Sequence, residues 1–236
     1  MDWSGDTILW ALLGGIIPAL VWLWFWLKED SRHPEPARII FYAFVGGMLI
    51  VPIALVLEKV TEAFLSGVLL RFGVWAAIEE LLKFWVAYLI AFRKKCIDRS
   101  RCLNDTLDPI IYLITVALGF SALENALFLW GPIAGGNLGD ILALGNLRFI
   151  GSTVLHVLAS ASIGVALGFS FYKTRHAKKI YAVFGIFTAI ILHTLFNISI
   201  INSSGEEDLF LIFGTLWIGI FVLLALFEKL KKIQDK

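Results

Sequence analysis

Apolar residues fall in seven long runs, near residues 7–27, 38–57, 73–92, 109–130, 149–171, 180–201 and 209–227, separated by short polar stretches. Each run is close to the ~20 residues that a helix needs to span a bilayer. The pattern therefore predicts an all-α polytopic membrane protein of about seven transmembrane helices. Asp108 before Pro109 reads as an N-cap followed by proline at the first helical position, the start of the fourth span. Pro18 and Pro52 fall inside the first two spans, where neighbouring helices or water can repair the lost backbone bond.

The third run, GVWAAIEELLKFWVAYLIAF from Gly73 to Phe92, is unlike the others because it holds Glu79, Glu80 and Lys83. Near the bilayer centre each ionisable group costs about +2.5 to +3.5 kcal/mol, together roughly +8 to +10, and the apolar residues around them return only about −5 to −9. This helix is marginal alone. It must set its charges against partners on other helices or against water.

The basic residues give the topology. Sixteen of the twenty Lys and Arg lie on one side of the alternating spans and three on the other, with Lys83 inside a span. By the positive-inside rule the N-terminus is outside and the C-terminus cytoplasmic, which also requires an odd number of spans. The first run lacks a basic flank ahead of it and is too long for a cleaved signal, so it reads as a retained span. Residues 58–72 and 138–147 mix charged and apolar positions, as interfacial or half-inserted segments do. Residues 1–236 then form a single integral-membrane domain in the cell membrane, with a motif-bearing core at 73–201.

Composition agrees: 59% of residues are hydrophobic, well above the 45–50% or so of soluble domains. A net charge of +1 excludes an electrostatic nucleic-acid binder. Cys96 and Cys102, the two cysteines, sit in one basic loop and read as reduced cytoplasmic thiols, neither a disulfide framework nor a metal knuckle.

With the topology set, depths can be compared. Counting inward from the outer ends of their spans, Glu79 and Glu80, Glu124, His156 and His193 all fall roughly 10–13 Å below the outer surface at 1.5 Å per residue. Four spans thus place ionisable groups in one layer, and such groups avoid lipid. They are expected to share a polar cavity open to the outer side, with Asn197 beside them. Lys83 lies i+4 from Glu79 and i+3 from Glu80, within reach of either. No G-x-S-x-G, H-E-x-x-H or glycine-rich phosphate loop occurs. Water activated by glutamate, with histidine and asparagine stabilising an oxyanion, remains; that is amide hydrolysis without a covalent intermediate.

At these positions the sequence resembles the PrsW family of intramembrane proteases, relatives of the CAAX prenyl endopeptidases and bacteriocin self-immunity proteins. The residues that carry the likeness are Glu79-Glu80-x-x-Lys83, Phe120-x-x-x-Glu124-Asn125, Arg148 followed by His156, and His193-x-x-x-Asn197. The resemblance implies a multi-helix protease that cuts a single-span membrane substrate, typically an anti-sigma factor, on its extracytoplasmic side as the first step of regulated proteolysis. The CAAX relatives have a longer E-E-x-x-x-R and a histidine where this chain has Glu124. That departure argues against a prenyl-protein substrate and removes one possible metal ligand.

Glu79, Glu80, Glu124, His156 and His193 are the candidate catalytic residues, with Asn197, Asn125 and Lys83 in support. Phe120 is expected to pack beneath the site and Arg148 to anchor the outer start of the fifth span, both next to the substrate. Gly164-x-x-x-Gly168 reads as a close helix contact. The site is expected to work without a cofactor; a zinc ion on His156, His193 and a glutamate is the alternative. Within the pair, i+4 spacing gives Lys83 to Glu79 and leaves Glu80 as the base. Competing functions for the same residues are a proton-coupled transporter, since buried carboxylates and histidines also make relays, and a non-catalytic immunity or scaffold protein. Cysteine labelling on a Cys-free background tests the topology: an impermeant reagent applied outside should reach the 205–208 loop and not position 99. Outside labelling at position 99 would overturn the shared depth.

Overall fold

Seven helical rods run back and forth, and short connections make successive rods antiparallel. The computed structural model describes residues 5–30, 34–93, 103–136 and 138–234, and no strand occurs among them. The first rod is α1 (Gly5–Glu29); the second is α2 (Ala37–Leu49) and α3 (Val51–Glu62), bent at Ile50; the third is α4 (Val68–Ala87), finished by a π-helical turn at Tyr88–Phe92. The fourth is α5 (Asp108–Ala134). The fifth joins α6 (Leu138–Leu147), a π-helical turn at Arg148–Ser152 and α7 (Thr153–Phe169), and the last two are α8 (Arg175–Asn202) and α9 (Glu206–Gln234). Six rods are long and apolar enough to cross a membrane, making this a multi-pass membrane protein. The exception is α4, whose charges count against it.

The seven runs read from sequence each become a rod, and three details differ. Residues 58–72 are no separate surface segment: they complete α3 and begin α4, turning between them at Gly67, where φ is +96°. Leu138–Leu147 continues without a break into α7, because nothing in it stops a helix. The second span bends at Ile50, and Pro52 sits in the first turn of α3, where its missing N–H costs no bond. Cys96, Cys102 and most of the 93–101 loop lie outside the described residues.

Asp108 is not the N-cap of α5 either. Asp105 caps the helix, its Oδ1 accepting from the Leu107 N–H at 2.6 Å and the Asp108 N–H at 3.1 Å. The Asp108 carboxylate faces back and accepts the Asp105 N–H at 3.1 Å. Tyr112 donates to Glu35, which ties the α1–α2 connection to the same end of α5.

The architecture is centred on α5, buried almost without interruption from Asp108 to Ala122. Helices α1, α2 and α7 pack around it, α8 and α9 pack on α7, and α4 is held by α3, α5 and α8. Close approach is possible because glycines stand where backbones meet. A Cβ at Gly15 would lie 2.1 Å from the Ala122 carbonyl oxygen, one at Gly47 2.1 Å from that of Val116, and one at Gly119 1.9 Å from that of Phe44. Gly164 and Gly168 let the start of α5 and the end of α7 meet in the same way. Without a water-driven force between helices inside lipid, such van der Waals fits hold a bundle together.

Gly119→Ala should therefore lower stability in detergent by at least the ~1–3 kcal/mol of an overpacked core. Gly131→Ala is the control: its added methyl would meet nothing within 4 Å, and helix propensity favours alanine by about 1 kcal/mol. Thermal melting of both variants checks the contrast.

Candidate active site

Four rods bring their ionisable side chains to one buried cluster, as the depth comparison expects. Lys83 is its hub. The ammonium donates to Glu80 Oε1 at 2.8 Å, to Glu79 Oε2 at 3.1 Å and to His156 Nδ1 at 2.8 Å, and lies 4.2 Å from the centre of the Phe120 ring. An ammonium can only donate. His156 Nδ1 is therefore the bare nitrogen, and Nε2 carries the proton, which it donates to Glu124 Oε2 at 3.1 Å.

His193 mirrors this arrangement. Its Nδ1 donates to Glu80 Oε1 at 3.0 Å, which leaves Nε2 bare, 3.9 Å from Glu79 Oε1. His156 Nδ1 is likewise 3.9 Å from Glu79 Oε2, and the two imidazole rings stand edge to face with centres 5.1 Å apart. His193 thus turns an unengaged lone pair toward Glu79, the His156 lone pair is shared with Lys83, and each histidine is steadied from behind by a second carboxylate.

The glutamate pair divides unequally, against the order that helix spacing implied. Glu80 is fully buried, with Oε1 engaged by Lys83 and His193 and Oε2 accepting from Ser160 Oγ at 2.9 Å. Glu79 has Lys83 alone at hydrogen-bond distance, and its side chain keeps 8% of its surface exposed. Lys83 spans both carboxylates because i+3 and i+4 neighbours share one face of α4, and Ser160 and His193, unseen by that argument, claim Glu80. The carboxylate with capacity left for a water is Glu79.

A second layer holds Glu124. Arg148 donates to Glu124 through Nη2 and to Asn125 Oδ1 through Nε at 2.6 Å, with its guanidinium 3.9 Å from the centre of the Phe128 ring. The Asn125 amide is spent on Ser121 Oγ at 3.1 Å and Thr153 Oγ1 at 3.0 Å. The π-helical turn matters here. It carries Arg148 and Ser152, and the Thr153 hydroxyl donates to the Arg148 carbonyl five residues back. Such turns re-aim side chains and concentrate at functional sites.

Residues 35–227 match the PrsW family, described as an intramembrane metalloprotease. The chain belongs to the PrsW family of intramembrane proteases. It is 25% identical to Protease PrsW of Halalkalibacterium halodurans over 79% of this chain and 81% of that protein. Identity is 30% to the Protease PrsW of Geobacillus kaustophilus over 70% and 67% of the two chains. It is 26% to that of Bacillus subtilis, over 68% and 67%. No solved structure matches the chain. Membership makes this PrsW protein a peptidase acting on a protein substrate in a membrane setting, the first of the three functions weighed above.

Measured against the expectations, Glu79, Glu80, Lys83, Glu124, His156 and His193 come together, with Phe120 buried beneath Lys83 and His156. Phe120 is 2% exposed, closed in by the packing around Lys83 and His156. Three residues stand differently. Arg148 points inward to Glu124 instead of anchoring at the surface, since a buried carboxylate outcompetes interfacial water for a guanidinium. Asn125 has no donor left for an oxyanion. Asn197 sits half-buried one turn beyond His193 on α8, with no side-chain partner among the described residues.

Two residues were missed. Ser160 follows His156 by one turn on α7, and that i+4 spacing was the available signal. Glu58 continues the inward stripe of α3 set by Val51 and Ala54, and it lies within electrostatic range of Glu79, Glu124, His193 and Lys83. Its sequence signal was misread as an interfacial loop.

Asn125→Ala should keep measurable cleavage while unfolding more easily by about 1–3 kcal/mol, because Arg148 and two buried hydroxyls lose a partner. Comparing turnover with melting checks it. Loss of cleavage at full stability would return Asn125 to the reacting centre.

Proposed function

We propose that this protein is an endopeptidase that cuts a single-span membrane protein near the outer face of the bilayer, with Glu79, His156 and His193 at the chemical step. The observation that carries this reading is the convergence on Glu79, at 3.9 Å each, of the bare His193 Nε2 and of His156 Nδ1, which accepts from Lys83. That gap is too long for a direct hydrogen bond and suits a single small species held by all three. A water there loses its proton to a Glu79 oxygen as it attacks the scissile carbonyl. Lys83, whose ammonium faces that space, is the group placed to meet the charge that develops on that carbonyl. Glu80, fixed by Lys83, His193 and Ser160, holds His193 in place; Glu124, fixed by Arg148, holds His156. The excess of basic residues at the opposite ends of the rods supports a cluster on the outer side. An anti-sigma factor, whose single span leaves a cuttable outer segment, is the substrate type that the family resemblance supports.

The same atoms suit a divalent cation. Glu79, Glu80, His156 and His193 each offer a ligand atom, all within 4.8 Å of one another. Two ligands sharing one zinc at about 2.0–2.2 Å stand no more than roughly 4.3 Å apart, and the 3.9 Å separations fall inside that limit. Carboxylates behind both histidines are the usual support for metal-binding imidazoles. Charge counting agrees in sign: taken as ionised, Glu79, Glu80 and Glu124 exceed Lys83 and Arg148 by one negative charge. A bound ion would acidify water and polarise the carbonyl. It would compete with the Lys83 ammonium for the same donors.

Purified protein and a single-span reporter test these readings together. Glu79→Gln and His156→Ala are expected to abolish cleavage, and Glu80→Gln or Glu124→Gln to lower it about 10–100-fold, as loss of a supporting carboxylate does. Cleavage that disappears with a strong chelator and returns with zinc assigns the cation; cleavage that survives chelation leaves water activation to Glu79. Normal turnover by Glu79→Gln would refute the mechanism.

A further inference from the structure

Helices α8 and α9 both pack on α7 but scarcely on each other. Between the three lies a slot of about 670 Å³. Its wall runs from Tyr181 to Ser199 on α8 and from Ile212 to Leu226 on α9, so the slot is roughly 21–27 Å long at 1.5 Å per residue. That is most of the ~30 Å depth of a bilayer's hydrocarbon. Phe184 and Val222 line it and are 67% and 53% exposed, so it opens sideways to lipid. Three of the hydroxyls in its wall are already spent: those of Ser162, Thr188 and Thr215 donate to the Ala159, Phe184 and Ile212 carbonyls of their own helices at 2.7–3.0 Å. Such a wall suits hydrocarbon.

At one end the slot changes character. Phe169 and Tyr181 also line a second cavity, of about 700 Å³, whose walls include Tyr172, Lys173 and Lys229. Each shared ring carries an ammonium: Lys173 Nζ lies 5.7 Å from the centre of Tyr181, and Lys229 Nζ 5.6 Å from that of Phe169. Neither lysine has a carboxylate partner among the described residues, whereas Lys231, two residues on, is taken by Glu228 and Glu29. This is the end of the bundle where basic residues concentrate, the cytoplasmic end by the positive-inside rule. Basic pockets between membrane helices on that side bind anionic head groups.

We infer that the slot between α7, α8 and α9 is a binding site for one anionic phospholipid, its phosphate held by Lys173 and Lys229 and an acyl chain laid along α8 and α9. Size and charge select this occupant. A spanning helix about 10 Å across and 30 Å long displaces roughly 2,400 Å³, more than three times the volume of the slot. A zwitterionic head group would bring a cation of its own to two ammonium groups that lack an anion. The chain lies against Leu192 and Leu195, on either side of His193 in α8, and supplies packing that α9 does not give. The site stands apart from the chemistry at Glu79 and does not depend on the protease reading.

Purified protein offered equal amounts of phosphatidylglycerol and phosphatidylcholine with the same chains should hold the former as a single-lipid adduct in native mass spectrometry. The expected preference is roughly 30-fold, as two lysines at an anionic head group confer. Lys173→Gln combined with Lys229→Gln should bring the preference close to one. Lys178→Gln combined with Lys179→Gln removes the same charge from the same end but lines neither cavity, and should keep it. A photo-crosslinking phenylalanine at position 184, activated in membranes, should gain the mass of a lipid. No preference in the wild-type protein, or equal loss in the two double variants, overturns the site and leaves general surface charge in its place. A protein-sized adduct at position 184 gives the slot to a transmembrane helix and overturns it as well.

Discussion

An ammonium and two carboxylates cannot be left in hydrocarbon, and much of this architecture follows from hiding them. Lys83 satisfies part of each glutamate, yet one cation leaves the pair short of donors, so α7 must bring Ser160 and His156, and α8 must bring His193. Those histidines have second nitrogens of their own. One of them recruits Glu124, which in turn requires Arg148. Each solution creates the next demand, and the chain of partners ends only at Asn125 and the hydroxyls of Ser121 and Thr153. The glycine fits around α5 matter for the same reason, because partners at about 3 Å demand helices whose backbones nearly touch.

The arrangement separates two duties that carboxylates perform. Glu80 has both oxygens occupied, and Glu124 shares Oε2 among Arg148, His156 and Ser152; between them they set which nitrogen of each histidine carries the proton. Within the adjacent pair, Glu79 is the one left incompletely bonded. A residue kept short of partners in an otherwise satisfied network is where a reactive molecule can bind, and evolution rarely leaves such a deficit in a packed interior without use.

Much of this was legible from the residues alone, for reasons that differ by feature. Span length and the distribution of lysine and arginine depend on the bilayer, a solvent with a fixed thickness, so the seven rods were readable. The cluster was readable because depth is a one-dimensional quantity, and Glu79, Glu124, His156 and His193 could be placed by counting. What counting lacks is rotation. Which glutamate Ser160 and His193 would engage depends on how α7 and α8 turn about their axes, and so their claim on Glu80 could not be counted from the sequence. Arg148 was assigned to the surface because its position at a span's end looked ordinary; the π-helical turn that swings it inward leaves no mark in the residue pattern. Glu58 was lost to a misplaced helix end, one turn of α3 taken for a loop.

The partners of α4 also set an order of events in time. His193, which completes the bonding of Glu80, follows it by 113 residues, and Ser160 follows by 80. During synthesis α4 therefore emerges with its charges and without most of what makes them tolerable. For the whole interval in which α5 to α8 are being made, it is a membrane helix with little reason to remain in the membrane. Its residence must be protected by the insertion machinery or by α5 until the later rods arrive. The reacting centre and the final commitment of the third span to the bilayer are then one event, and a truncated chain lacking α8 loses an integral helix along with its chemistry.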